Sequence, residues 1–599
     1  MFRSKSRADD VIVAGATPVA DGDDGTPPPA QPPTYNGGAT PARSVRLGEL
    51  LVRRGLVSEE QLDHALAEQV VSGRRLGAEL LRLGMVSERD LIETLAEQVH
   101  LPVADLRLTS PSPEAIDRLP EEAARRLEVV PIRMVGEMLE VAVADVLHDA
   151  LRADLEAAAG CQVIAVLAPP SEIRLAIDRT YVVIDDVNQH VETFEKLAAA
   201  RPKQELATFD VDANAPVVQV VSLLLTQAVR DRASDIHIEP QGDRVRVRFR
   251  IDGVMREVSE LPETMAQPLV SRLKVMAGMN IVERRRPQDG QIQTEVDGRH
   301  LDVRVATAAT IFGEKAVLRL LDTSRGQLSL GELGMPKETA HAMGQMIQSP
   351  FGMIVCAGPT GSGKTTTLYA ALNAIDDPSR NITTIEDPVE YVVPTITQIQ
   401  VNNQAGVTFA EGLRSILRQD PDVVLIGEMR DIETANIAVQ SALTGHLVLS
   451  SIHATDTATA VQRFRDMGIE SFLITSSLLG VMSQRLLRRI CSHCREQYTP
   501  TSSELALYEH HTGQTKDVFY RGAGCNLCSH TGYADRIGIY ELLQVTDPIR
   551  DLVLRDAGAA AIRRAAVAGG MRTLEDEAMA LVTNDVTTIA EATRTVVTK

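Results

Sequence analysis

Met353-Ile354-Val355-Cys356-Ala357-Gly358-Pro359-Thr360-Gly361-Ser362-Gly363-Lys364-Thr365 runs from five consecutive apolar residues into a glycine-rich octet ending in lysine and threonine. The apolar run predicts a buried strand, and the octet fits the phosphate-binding loop pattern G-x-x-x-x-G-K-[ST] in full. Small residues let successive backbone N–H groups turn inward around phosphate oxygens, Lys364 supplies a point charge, and Thr365 supplies a hydroxyl ligand for magnesium. A helix opening near Thr365 adds the positive end of its dipole. Gly358, Pro359, Thr360, Gly361, Ser362, Gly363, Lys364, Thr365 and Thr366 are therefore candidate ligands of a nucleoside triphosphate such as ATP.

Three further blocks carry acids and histidines at strand ends. Ile382-Thr383-Thr384-Ile385-Glu386-Asp387-Pro388-Val389-Glu390 reads as a strand delivering three carboxylates together, and in an open α/β sheet such ends form the ligand crevice. Val423-Val424-Leu425-Ile426-Gly427-Glu428 is an apolar strand tipped by an acid, as when a carboxylate supports magnesium or its water. The strand 447–452 is bracketed by His446 and His453. From about residue 333 strands alternate with helical patterns, which predicts a parallel-sheet α/β core over 333–599.

A chain of 599 residues is too long for one core. Its 61 basic and 81 acidic residues leave a net charge of −20, which opposes nucleic-acid backbones, so no nucleic-acid partner is expected. No apolar stretch approaches a membrane span and the first residues carry no signal-peptide core, which predicts a cytoplasmic protein. Pro, Gly, Asp, Thr and Ala dominate the start, predicting a disordered leader over 1–44. Order begins with a repeat: Arg46-Leu47-Gly48 through Gln69 matches Arg75-Leu76-Gly77 through Gln98 position for position, with helical spacing of Leu62 and Leu66 or Leu91 and Leu95. A small α/β unit is expected over 101–182 and a polar linker over 183–209. The amphipathic stretch 217–229 opens a further domain, 210–332, in which Val245, Val247, Phe249 and Ile251 share one strand face and Arg244, Arg246, Arg248 and Arg250 the other.

Cys491-Ser492-His493-Cys494 and Cys525-Asn526-Leu527-Cys528 are two close cysteine pairs. Four thiolates close a tetrahedral zinc site with no open position, so the element 491–528 should be structural; a disulfide or a redox dithiol is the competing reading. Cys161 and Cys356 read as buried small hydrophobes.

Taken together, the four blocks resemble the hexameric ATPases of type II secretion and type IV pilus assembly, the GspE/PulE/PilB group. In that family the blocks are the Walker A, Asp, Walker B and His boxes, in this order. The resemblance implies a RecA-like P-loop core, a homohexamer, and an inner-membrane platform protein as partner, with the chain docked at the cytoplasmic face of the inner membrane. It implies Glu390 as the base that orients water, with Glu386 and Asp387 as rivals, Glu428 with Thr365 at magnesium, and His446 and His453 at the phosphate end. Segments 234–240, 248–253, 285–290 and 313–315 look like the family's PAS-like domain before the motor, whose arginines reach the nucleotide. Arg250, Arg286 and Arg304 are the candidates on that resemblance, and Gln291 departs from the arginine usual there. The tetracysteine element resembles that of assembly and secretion members. The repeat looks like the cyclic di-GMP-binding MshEN-like module, here placed at 45–100, which makes Arg46, Leu47, Gly48, Gln69, Arg75, Leu76, Gly77 and Gln98 candidate ligands; arginine can stack on guanine and glycine permits close approach. Two competing readings are a nucleic-acid-translocating hexameric ATPase and a cyclic di-GMP receptor with a degenerate motor.

Overall fold

The computed structural model describes residues 46–181, 184–199, 215–322 and 328–596, so the expected leader lies outside the described residues. The repeat folds as four helices, α1 (Leu47–Arg53), α2 (Glu59–Ser72), α3 (Leu76–Arg82) and α4 (Glu88–Val99). Each half is built alike because the same residues do the same work. Arg46 and Arg75 stand just before α1 and α3 with nearly identical extended backbones, φ −67° and −68°. Ser58 and Ser87 cap α2 and α4 by accepting from the N–H groups of Gln61 and Asp90.

Helix α4 sends Ile92 and Ala96 into the core of the following α/β unit, where they join Leu119, Leu139, Val141 and Leu155. That unit has a three-stranded sheet in the order β1 (Val129–Val135), β2 (Met138–Val143), β3 (Val163–Leu167), covered in part by the helix Pro170–Thr180. The repeat and the α/β unit are therefore one packed body. The expected linker is not wholly irregular. Ile184–Ala199 is a helix whose Val187, Val191 and Phe194 are buried against the helix Pro216–Arg230. Three apolar residues at helical spacing suffice to seat an otherwise polar stretch.

The domain ahead of the motor has a six-stranded antiparallel sheet of β4 (Ala233–Gln241), β5 (Arg244–Ile251), β6 (Val254–Pro262), β7 (Gln288–Val296), β8 (Arg299–Thr310) and β9 (Gly313–Asp322), in the order β6-β5-β4-β9-β8-β7. Val245, Val247 and Phe249 are fully buried beneath the helices Pro216–Arg230 and Ala266–Met276. The arginine face of β5 is paired: Arg246, Arg248 and Lys315 surround Glu239, and Arg250 and Arg319 hold Asp235. Burial would raise the Glu239 carboxyl, but these cations hold it down at about 2.

The motor is the expected RecA-like α/β core. Its seven-stranded sheet runs β12-β11-β13-β14-β10-β15-β18, where β10 is Gly352–Ala357, β11 Ile382–Glu386, β12 Thr397–Gln400, β13 Val423–Ile426, β14 Leu447–Ile452, β15 Leu478–Ile490 and β18 Tyr533–Gln544. All neighbours are parallel except β15 with β18. Buried on both faces, β10, β13 and β14 are continuous apolar runs or nearly so. The cysteine element carries the two-stranded ribbon β16 (Arg495–Tyr498) and β17 (Phe519–Gly522). No described helix is long and apolar enough to cross a membrane.

Candidate functional site

The parallel strands β10, β11, β13 and β14 aim their carboxyl ends at one crevice, the place where an open sheet of this class binds ligand. At the end of β10 the loop turns into the helix Lys364–Asn373 through Gly361 and Gly363, at φ 76° and 90°, values that favour glycine. Thr360, Gly361, Gly363, Lys364, Thr365 and Thr366 line a cleft of about 880 Å³ between the motor and the arginine-bearing domain. The Lys364 ammonium donates to the carbonyls of Gly358 and Pro359, both at 3.0 Å. Burial pulls its pKa below the lysine range, and Glu428 opposes that pull.

The acids divide by environment. Glu428, after β13, lines the cleft 3.3 Å from His453 Nε2 and also pairs with Arg430. Burial would raise its carboxyl, yet Arg430 and His453 hold it below the ordinary value, so it is a standing negative charge suited to a cation. Glu390 lines the same cleft with its carboxyl raised by burial, opposed by the Arg304 guanidinium. A carboxylate shifted that way is a better proton acceptor. Glu386, 3% exposed, has both oxygens engaged: Tyr369 O–H donates at 2.7 Å and Thr384 O–H at 2.6 Å. It braces the wall behind Glu390, and Asp387 beside it is exposed and lines the cleft.

The preceding domain supplies the opposite wall. Arg250, Arg304 and Arg319 line it from β5, β8 and β9, and Arg304 donates to the Val389 carbonyl at 3.1 Å. Arg319 was not singled out by motif; its signal is register, since it lies directly across from Arg304 on the same sheet face. Arg286 sits exposed in the loop before β7 and is not among the cleft residues of its own chain, so it faces away from this nucleotide site and toward solvent. One expectation needs correction. His446 precedes β14 at the amino end, where its ring contacts the Ser441 carbonyl at 3.0 Å, whereas His453 follows the strand at the carboxyl end. Six residues of strand separate them, roughly 20 Å at about 3.3 Å per residue, so only His453 reaches the cleft.

Gln484 of β15 also escaped motif reading. Its side-chain amide donates to the Ser362 carbonyl at 2.8 Å, beneath the phosphate loop. A Cβ on Gly358 or Gly363 would lie 2.9 Å from its carbonyl or 3.0 Å from its Nε2. The signal was the polar pair Ser483-Gln484 interrupting an apolar strand, both residues buried. Gln484→Ala strands the Ser362 carbonyl, a loss of about 1–3 kcal/mol. We expect ATP affinity to fall about tenfold with kcat changed less, as measured by nucleotide titration beside steady-state kinetics.

The sulfurs of Cys491, Cys494, Cys525 and Cys528 lie within 4.8 Å of one another, with Cys494 to Cys528 at 3.9 Å and Cys525 to Cys528 at 3.8 Å. Zinc–sulfur bonds of about 2.3 Å in a tetrahedron space sulfurs about 3.8 Å apart, so the cluster fits zinc. N–H groups of Cys525 and Gly532 point at the Cys528 sulfur, both at 3.3 Å, which favours thiolate. Cys356 is buried as expected, whereas Cys161 is only half-buried.

In the repeat, Arg46 and Arg75 are exposed, and Arg75 pairs with Asp145 of the α/β unit. Leu47 and Leu76 are half-buried, as are Gln69 and Gln98 near the ends of α2 and α4. The glycines serve packing: a Cβ on Gly48 would meet Leu62 at 2.9 Å, and one on Gly77 would meet Leu91 at 3.1 Å. Their missing side chains admit a leucine.

A phosphate loop at the carboxyl edge of a parallel sheet, sharing one crevice with Lys364, Glu390 and Glu428, defines a RecA-like nucleotide-binding protein. Residues 210–594 match the family model described as type II/IV secretion system protein, and residues 99–185 match the MshEN domain. The chain belongs to the type II/IV secretion system protein family. It is 40% identical over 562 residues to the type IV pilus assembly ATPase PilB of Myxococcus xanthus, covering 92% of this chain and 98% of that one. It is 43% identical over 412 residues to the type II secretion system ATPase E of Vibrio cholerae, covering 69% of this chain and 81% of that one. A solved structure of MshE with cdg is 39% identical, covering 23% of this chain and 99% of that one, at a TM-score of 0.21. The MshEN match falls on the α/β unit, immediately after the repeat at 45–100 on which the sequence places the module.

Proposed function

We propose that the chain is a magnesium-dependent ATPase, working as a homohexamer, that drives an inner-membrane platform protein to assemble a type IV pilus or a type II secretion fibre. The observation that carries this reading is the single crevice holding Lys364, Glu390 and Glu428 under a wall of arginines. Glu390 takes the proton from the attacking water, Lys364 neutralises the phosphate oxygens, and His453 steadies Glu428. Thr365 and Glu428 would hold magnesium, which supplies further positive charge to the transferring phosphoryl group. Arginines complete that neutralisation, Arg304 and Arg250 first, with Arg286 left to serve a neighbouring subunit. The near full-length match to the pilus assembly ATPase favours pilus over secretion cargo. The protein would work in the cytoplasm against the inner membrane.

Cyclic di-GMP regulation is supported by the MshEN match and by the exposed arginines that open each repeat half. The repeat residues Arg46, Gln69, Arg75 and Gln98 are the proposed contacts, flanked by Leu47 and Leu76. The intact motor residues speak against a degenerate receptor.

In the host cell, replacing the chain by Lys364→Ala should abolish surface fibres or secretion while the protein still accumulates and oligomerises. Fibres at the parental level would contradict the reading. A finer prediction concerns pH. Hydrolysis needs Glu390 ionised, and its carboxyl is raised, so the rate falls as pH drops through a value above the ordinary glutamate range. Arg304→Gln removes the charge that lowers it, so the acid limb of kcat/KM should move to higher pH; a pH–rate profile of both proteins checks this.

A further inference from the structure

Strand β15 touches the phosphate loop through Gln484 and delivers Cys491 just past its far end, so one strand joins the nucleotide cleft to the four-cysteine knuckle. The knuckle has a second neighbour. Leu106, Val130, Ile132, Ile173 and Ile177 of the N-terminal α/β unit share one buried apolar cluster with Cys491, Cys525, Leu527 and Cys528. Directional bonds fix the register of the two faces. Arg107 Nη1 donates to the His493 carbonyl at 3.0 Å, the Asn526 N–H donates to the Arg107 carbonyl at 3.1 Å, and Asn526 Nδ2 donates to Ser110 Oγ at 3.1 Å.

The same junction reaches the repeat. Arg89 of α4 pairs at 2.7 Å with Glu172, which is 2% exposed and lies 3.7 Å from the His493 ring. Glu88, the first residue of α4, accepts from the N–H and hydroxyl of Ser171 at 3.0 and 2.5 Å. Helix α4 is thus bolted to the helix Pro170–Thr180, and that helix is seated on the turn Asn526–Cys528. Separating the faces would expose Leu106, Ile173, Ile177 and Leu527 to water together, so they move as one body.

We propose that the tetracysteine knuckle is the docking surface for the N-terminal unit, and that a ligand held by the repeat acts on the phosphate loop through α4, the helix Pro170–Thr180, the knuckle and β15. The docking stands on geometry alone; the identity of the signal rests on the cyclic di-GMP reading. A shift of the α/β unit is carried to Cys491 and along a continuous strand to Gln484, whose amide supports the loop. The knuckle is a joint in the motor as well as a fold-stabilising element.

The test uses the full-length, zinc-loaded protein and two variants from opposite sides of the junction: Arg107→Ala with Glu172→Gln, and Asn526→Ala. Hydrogen–deuterium exchange over 168–180 and 523–532 should quicken about tenfold at both faces in each variant. Zinc should stay near one per chain, with cyclic di-GMP affinity and unstimulated ATP turnover within about twofold of the parent. The change in turnover on adding cyclic di-GMP should disappear. Unchanged exchange in both variants overturns the docking, and quickened exchange with an intact response overturns the transmission. A parent chain that binds no cyclic di-GMP overturns the second-messenger reading and the transmission, while exchange still decides the docking.

Discussion

Glu390→Gln is expected to bind ATP as the parent does and to hydrolyse it about a thousandfold more slowly, the scale of a lost general base. The substitution keeps volume and removes only the proton acceptor. Glu390 is the cleft carboxylate whose environment raises it, through burial, with the Arg304 guanidinium opposing that shift. Glu428→Gln should fail differently: its carboxyl is held low beside Arg430 and His453, so its loss weakens magnesium-dependent nucleotide binding as well as turnover. Glu386→Gln should fail differently again, since Tyr369 and Thr384 donate to it and the damage falls on stability. Rapid-quench turnover beside fluorescent-nucleotide titration separates the three. A Glu390→Gln chain that hydrolyses ATP at the parental rate would move the base to Asp387.

The second large effect concerns the knuckle. Cys528→Ser should drop zinc from about one per chain to almost none, because a closed four-thiolate site has no spare ligand. Structural zinc in small domains carries about 10 kcal/mol or more of apparent binding free energy, and where the metal holds the fold that energy is folding energy. The turn around Asn526–Cys528 should therefore open, with rapid exchange over 491–532 and a lower melting temperature, while the seven-stranded sheet persists. Atomic absorption and calorimetry read the two effects. Full zinc content in the variant would contradict the four-sulfur site.

What could be read ahead of the structure followed short-range rules. The phosphate loop, the apolar strands and the acid at the tip of β13 need only local spacing, and all are found where expected. The alternation of β5 likewise foretold its buried face. Sequence proximity misled where direction mattered. His446 and His453 flank one strand symmetrically in the chain, but a parallel sheet opens to ligand at one edge only, and strand polarity would have excluded His446. Gln484 and Arg319 became functional candidates through neighbours more than a hundred residues away or on another strand, information no local window holds. Gly48 and Gly77 also make room for Leu62 and Leu91 of the next helix, a packing role that shows only once the helices are placed.

Phosphate release from ATP by purified full-length protein, with and without magnesium and beside Lys364→Ala, bears most directly on the crevice. Saturable, magnesium-dependent release that falls about a hundredfold or more in Lys364→Ala is the expected result. Equal release by the two proteins, or none from the parent, would contradict it.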